Sequence, residues 1–103
     1  MKKISKNEIT VVVLAGGKAS RMDGEDKGLI VFRELPLIAH VVNVVKPKVS
    51  QILISANRNI EEYANFGKVI SDDLEGYQGP LAGISKALKV CSTPYLLVLP
   101  CDS

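Results

Sequence analysis

The chain has 103 residues, 47% of them hydrophobic, and a formal net charge of +2. A domain of this size buries roughly 60–65% of its unfolded surface, enough for one core and too little for two. High apolar content with low net charge excludes a disordered chain, and thirteen basic against eleven acidic residues leave no broad positive field for non-specific nucleic-acid binding.

Aromatic residues make up 5% of the chain and tryptophan is absent, so the core is aliphatic. No apolar run reaches the roughly 18 residues of a membrane span. The Lys-rich start, residues 1–8, is interrupted by Asn7 and Glu8, and the apolar run after it leads into Gly16-Gly17-Lys18 without a cleavage-like site. Residues 1–8 therefore read as a solvated basic leader on a cytoplasmic protein. Cys91 and Cys101 form no C-x-x-C pair and read as buried thiols. No Cys/His cluster has the spacing of a zinc site.

In chain order, Ile9 to Leu14 is a β-branched run ending at Ala15-Gly16-Gly17, the pattern of a strand buried on both faces. Residues 15–28 form a polar loop, and Leu29 to Phe32 a short strand or extended arm. Pro36 opens a helix whose apolar stripe is Leu37, Ile38, Val41, Val42 and Val45, and Pro47 stops it. Gln51 to Ala56 is a second buried strand, Asn57 to Asn59 a turn and cap, Ile60 to Asn65 a short helix ended by Gly67, and Lys68 to Ser71 a third strand. A loop over 72–79 precedes a helix begun by Pro80, with Leu81, Ile84 and Leu88 facing inward. Tyr95 to Pro100 is a fourth buried strand that delivers Cys101-Asp102. Strands alternating with helices give an α/β fold with a parallel sheet and right-handed crossovers. The chain stops at Ser103 just past a strand, which reads as a fragment of a longer chain.

In an open parallel sheet, ligands bind beyond the carboxyl ends of the strands. That rule gathers residues 15–28, residues 72–79 and Asp102. Gly16-Gly17 lets the backbone approach a phosphate and offer it N–H groups, while Arg21 and Lys27 add positive charge to the same loop. The spacing matches neither the Walker A loop nor G-x-G-x-x-G. Asp102 leaves an apolar strand, where a carboxylate needs a cation or serves as a helix N-cap. Asp72, Asp73 and Glu75 read as a solvated acidic loop. Gly79 to Gly83 is a helix entry whose free N–H groups suit an anion or simply begin the helix. His40, alone in an apolar helix, and Cys101, without a basic partner, read as structural.

Together these segments resemble the molybdenum cofactor guanylyltransferases. The likeness runs through Leu14-Ala15-Gly16-Gly17-x-x-x-Arg21-Met22, Asp26-Lys27, Pro36 to Val41, Ile54 to Arg58, Val69 to Asp72, Gly79 to Gly83 and Pro100-Cys101-Asp102. The opening loop is shared by many sugar-phosphate nucleotidyltransferases; the combination is more specific, and Leu-Ala-Gly-Gly favours guanylyl over cytidylyl transfer. One departure is local: Gly24 stands one place late in the loop, with Arg21 and Lys27 in their places.

The resemblance implies a Rossmann-like sheet with flanking helices, of nucleotide-diphospho-sugar transferase type, truncated after the fourth main strand. Residues 9–103 would be the N-terminal, nucleotide-binding portion of a longer transferase domain. It implies transfer of GMP from GTP to molybdopterin with release of pyrophosphate. It assigns nucleotide binding to Leu14, Ala15, Gly16, Gly17, Lys27, Ser55, Asp72, Gly79 and Asp102, and catalysis to Arg21, Lys27 and Asp102. Mg2+ would sit on Asp102, and an Asp such as Asp72 would accept from guanine N1–H and N2–H together. Implied partners are GTP, molybdopterin, and cofactor-insertion and molybdoenzyme maturation proteins, with no nucleic acid or membrane. Two other classes stay open: a cytidylyl- or uridylyltransferase acting on another phosphate acceptor, and a non-catalytic GTP-binding module.

Overall fold

A computed structural model describes residues 4–15, 21–22, 25–71 and 80–101, with the side chains of 21–27 and 80–83 outside that description. Four parallel strands form the main sheet in the order β7-β6-β1-β8: β1 is Ile9–Leu14, β6 Gln51–Ser55, β7 Lys68–Ile70 and β8 Tyr95–Pro100. Two short antiparallel ribbons sit outside it, β2 (Arg21–Met22) with β3 (Glu25–Asp26), and β4 (Val31–Phe32) with β5 (Leu35–Pro36). The helices are α1 (Leu37–Val45), α2 (Ile60–Tyr63) and α3 (Pro80–Val90).

The continuous apolar run from Val11 to Leu14 in β1 has a simple cause: both faces of its strand are covered. Successive side chains alternate between faces. Val11 and Val13 pack with α1 residues such as Val41 and Val45 on one side, whereas Val12 packs with Leu53, Ile70 and Ala87 of α3 on the other. Val11, Val12, Val13, Leu53 and Ile54 are fully buried. Register pairs Val12 with Leu53 on β6 and with Val98 on β8.

Pro36 is the N-cap of α1 rather than its first turn, and Leu37 N–H donates to the Ile30 carbonyl at 2.9 Å. α1 ends at Val45, and Pro47 falls in a 3-10 turn, Lys46–Lys48. The 29–32 stretch divides into a 3-10 turn, Lys27–Leu29, and strand β4. Arg33 and Glu34 between β4 and β5 both have left-handed backbone, φ 51° and 72°. This is the geometry that matches the twist of a two-residue hairpin, although no Gly or Asn announces it. His40 braces the ribbon through a hydrogen bond between Nε2 and the Phe32 carbonyl and an edge-on contact with the Phe32 ring, in keeping with a structural role.

Two expectations are corrected. β8 is an edge strand, with Tyr95, Leu97 and Val98 exposed, because on its side of β1 no further described strand pairs with it. On α3, Leu88 points outward at 61% exposure, and among its described side chains the fully buried one is Ala87. One residue is about 100° around a helix, and the small Ala87 lets α3 lie close on Val12 and Leu53. Among the described residues no helix is long and apolar enough to cross a membrane.

These burials separate two leucines in denaturant. Leu53→Ala should lose roughly 2–5 kcal/mol, as a core truncation does, and Leu88→Ala less than about 0.5 kcal/mol, as a surface change does. Equal losses in urea melts would contradict this placement of α3.

Candidate functional site

The four parallel strands all end at one rim, and the backbone bonds continue one residue past them. Ala15 N–H donates to the Ser55 carbonyl at 2.9 Å, Ala56 N–H to the Ile70 carbonyl at 3.0 Å, and Cys101 N–H to the Leu14 carbonyl at 3.2 Å. Ser71 Oγ adds a bond to the Ala56 carbonyl at 3.2 Å. Ser71, Ala56, Ala15 and Cys101 are thereby laced side by side across the carboxyl edge. The segments that begin at Gly16, Asp72 and Asp102 follow in the chain from three of these four positions. Parallel pairing thus gathers what the sequence scatters over almost ninety positions.

The proposed residues divide accordingly. Leu14, Ala15 and Ser55 are brought together at the rim: Ala15 is buried, Ser55 nearly so, and Leu14 packs against the α3-side core. Arg21 stands opposite Asp26 in the β2–β3 ribbon, so its backbone is a ribbon's width from Lys27, the next residue along. Lys27 opens the 3-10 turn that follows the ribbon, so the two cationic positions are close along the backbone but lie on adjoining elements. Gly16, Gly17, Asp72, Gly79 and Asp102 lie outside the described residues, as do the side chains of Arg21 and Lys27.

One group of residues escaped the sequence reading. Gly28, immediately after Lys27, is buried, with Tyr63 and Cys101 lying against it. Tyr63 is fully buried and packs in the same cluster as Cys101, Ile38 and Val13. A glycine following the Lys27 position was the only available signal. Among the described residues, no group of three or more His, Cys, Asp or Glu is placed to hold a metal ion.

The chain matches the family model described as the MobA-like NTP transferase domain over residues 11–103. It belongs to the MobA-like NTP transferase family. The chain is 54% identical over 101 residues to the molybdenum cofactor guanylyltransferase of Polynucleobacter asymbioticus, covering 97% of this chain and 51% of that protein. The guanylyltransferase of that name from Pseudomonas aeruginosa is 50% identical over 95 residues, 91% of this chain and 48% of the relative. The crystal structure of Rv0371c from Mycobacterium tuberculosis H37Rv superposes with a TM-score of 0.71 at 20% identity, covering 94% of this chain and 52% of that one, and so shares the fold. The chain spans about half the length of the curated relatives it matches.

The amino end of the sheet holds different chemistry. Fully buried Thr10 Oγ1 bonds Gln51 Oε1 at 3.2 Å and Thr93 Oγ1 at 2.7 Å, linking the starts of β6, β1 and β8. Cys91 Sγ donates to the Thr93 carbonyl at 3.4 Å. Desolvation pushes the Cys91 thiol up, but hydrogen bonds to the Thr93 side chain and backbone and to Thr10 outweigh it, and its pKa falls below the usual thiol value. Cys91 is only partly buried, a correction to the reading of two buried thiols, whereas Cys101 is 1% exposed.

In the native chain, iodoacetamide should therefore alkylate Cys91 well ahead of Cys101. Peptide mapping by mass spectrometry reads the order, and faster labelling of Cys101 would show that the rim opens readily.

Proposed function

We propose that the chain is the nucleotide-binding part, residues 9–103 behind a short leader, of an enzyme that transfers GMP from GTP to molybdopterin. The observation that carries this reading is the laced carboxyl rim, which brings the exits of β1, β7 and β8 together in a chain about half identical to guanylyltransferases. The triphosphate would lie on residues 14–17, with backbone N–H groups turned to its oxygens. Ser55, Asp72 and Gly79 would border the nucleoside, where a carboxylate reads guanine by accepting from N1–H and N2–H.

In this reading the terminal phosphate oxygen of molybdopterin attacks the α-phosphorus of GTP in line. A new P–O bond forms as the bond from the α-phosphorus to its bridging oxygen breaks, and pyrophosphate leaves. Positioning and charge neutralisation supply most of the acceleration in such transfers. Arg21, on the β2–β3 ribbon, and Lys27, the residue that follows it, would hold the charge that develops on the phosphate oxygens.

A Mg2+ site fits this rim. Mg2+ is commonly held by one or two carboxylates together with substrate phosphates rather than by an all-protein cage, and the Cys101–Leu14 bond starts the Asp102 segment beside the β1 exit. Asp102 would hold the ion, which when bound supplies Lewis-acid stabilisation of the phosphoryl charge. The reaction belongs in the cytoplasm, where GTP is available. Proteins that insert the cofactor and mature molybdoenzymes would take the product onward.

Thermal shift with Mg2+ and each nucleoside triphosphate tests the nucleotide. GTP should raise the melting temperature most; at 100 times its Kd a ligand adds about 2.7 kcal/mol. A larger shift with CTP would replace the guanylyl reading with a cytidylyl one.

Transfer itself can be followed in a chimera carrying residues 9–103 in place of the matching half of the Polynucleobacter relative. Asp102→Asn there should slow transfer at least about a hundredfold, the scale of losing one charge-stabilising group, with little change in Mg2+-free GTP binding. A wild-type chimera that binds GTP without turnover would support a binding module instead.

A further inference from the structure

We infer that Tyr63 is a positioning residue: its ring is a fixed strut behind the Lys27–Leu29 turn and sets how that turn is seated against Cys101, at the β8 exit from which the chain continues to Asp102. This inference rests on the reading above, in which Lys27 and Asp102 share one triphosphate.

The contact has no slack. A methyl group at Gly28 would stand 2.8 Å from Tyr63 Oη, 3.1 Å from Tyr63 Cε1 and 3.4 Å from Cys101 Cβ. Real Cβ atoms essentially never approach closer than 3.0 Å, so a methyl group here obliges the Tyr63 ring or the turn to shift. Gly28 is the residue after Lys27, and Cys101 the residue before Asp102. The residue after Lys27 is therefore wedged between the Tyr63 ring, from a third segment, and the residue before Asp102.

The ring is presented from a fixed base. Tyr63 closes α2; its N–H donates to the Asn59 carbonyl at 3.0 Å, and its carbonyl accepts from Phe66 N–H at 2.9 Å. The side chain is fully buried in the α1-side core. Cys101 is in turn tied to β1 through the Leu14 carbonyl. Dense packing transmits a displacement of the Gly28 turn instead of absorbing it. A shift on the order of 1 Å between groups that must grip one phosphate chain is enough to weaken them severely.

Mg2+-GTP affinity of the 103-residue chain, measured calorimetrically well below each variant's melting temperature, tests the strut. Gly28→Ala should weaken binding by about tenfold, the size of coupling expected between residues in contact. Adding Tyr63→Phe removes the oxygen nearest the new methyl and should restore most of the lost affinity. A purely structural contact would lower the melting temperature of Gly28→Ala and leave the affinity of the folded chain unchanged; that result overturns the inference, as does a loss that Tyr63→Phe fails to relieve. If Gly28→Ala does not fold, suppression is read on folding, and a double variant that fails to regain a cooperative melt overturns the inference. The parent reading is judged on the wild-type chain first. A wild-type preference for CTP overturns the guanine assignment alone, and the same cycle is then run with Mg2+-CTP. A wild-type chain that binds no nucleoside triphosphate overturns both.

Discussion

Parallel pairing on both sides of β1 is the constraint from which the rest of the structure follows. A strand flanked in the same direction by two others must be covered above and below, because each crossover returns over a face of the sheet. In this chain α1 covers one face and α3 the other, and the side chains of β1 from Val11 to Leu14 are apolar without interruption between them. Direction matters as much as burial. Strands that run the same way end on the same side, so their exits meet at one rim while their beginnings meet at the opposite one.

The two ends of the sheet have accordingly taken on different characters. At the beginnings, Thr10, Gln51 and Thr93 spend their hydrogen-bonding capacity on one another and on the backbone, a belt that satisfies a buried hydroxyl. At the exits, the ladder is carried on by the N–H groups of the small residues Ala15 and Ala56 and by the Ser71 hydroxyl. A large side chain in any of these places would occupy the space where the segments of the candidate site begin. The chemistry is therefore concentrated at one edge by geometry, before any side chain is considered.

Much of this was legible from residue order. The runs Ile9 to Leu14 and Gln51 to Ser55, the prolines at 36 and 47 and the stripe through Ile38, Val41, Val42 and Val45 fix β1, β6 and α1 because their periods and breakers are unambiguous. The β4–β5 ribbon was less legible, since Arg33 and Glu34 adopt left-handed backbone without the usual Gly or Asn, held by the His40 bond to Phe32 and a guanidinium stacked over the Phe32 ring. Leu88 misled because a helix stripe read from hydrophobicity alone cannot tell a packed leucine from its neighbour Ala87, whose small size is what the close approach requires. β8 misled because an apolar run states what a strand tolerates, whereas exposure depends on which strands lie beside it. At the site, Leu14, Ala15 and Ser55 follow from the rule of strand exits. The meeting of Gly28 with Tyr63 and Cys101 joins three distant segments and leaves no periodic trace in the sequence.

The sheet order also has a history in time. Ile9 pairs with Tyr95 and Leu14 with Pro100, so β1, the earlier strand, takes one of its two neighbours from more than eighty residues further along. On the ribosome, the valines of β1 must wait bare while α1, β6, β7 and α3 are synthesised, and the ladder closes only when β8 has emerged. Such distant pairing makes folding slow, because the entropy of closing the loop is lost before the contacts repay it. During that delay an apolar, partly unpaired strand is also an adhesive one. The arrangement that brings the strand exits to one edge thus leaves a nascent chain in need of protection until β8 has been made.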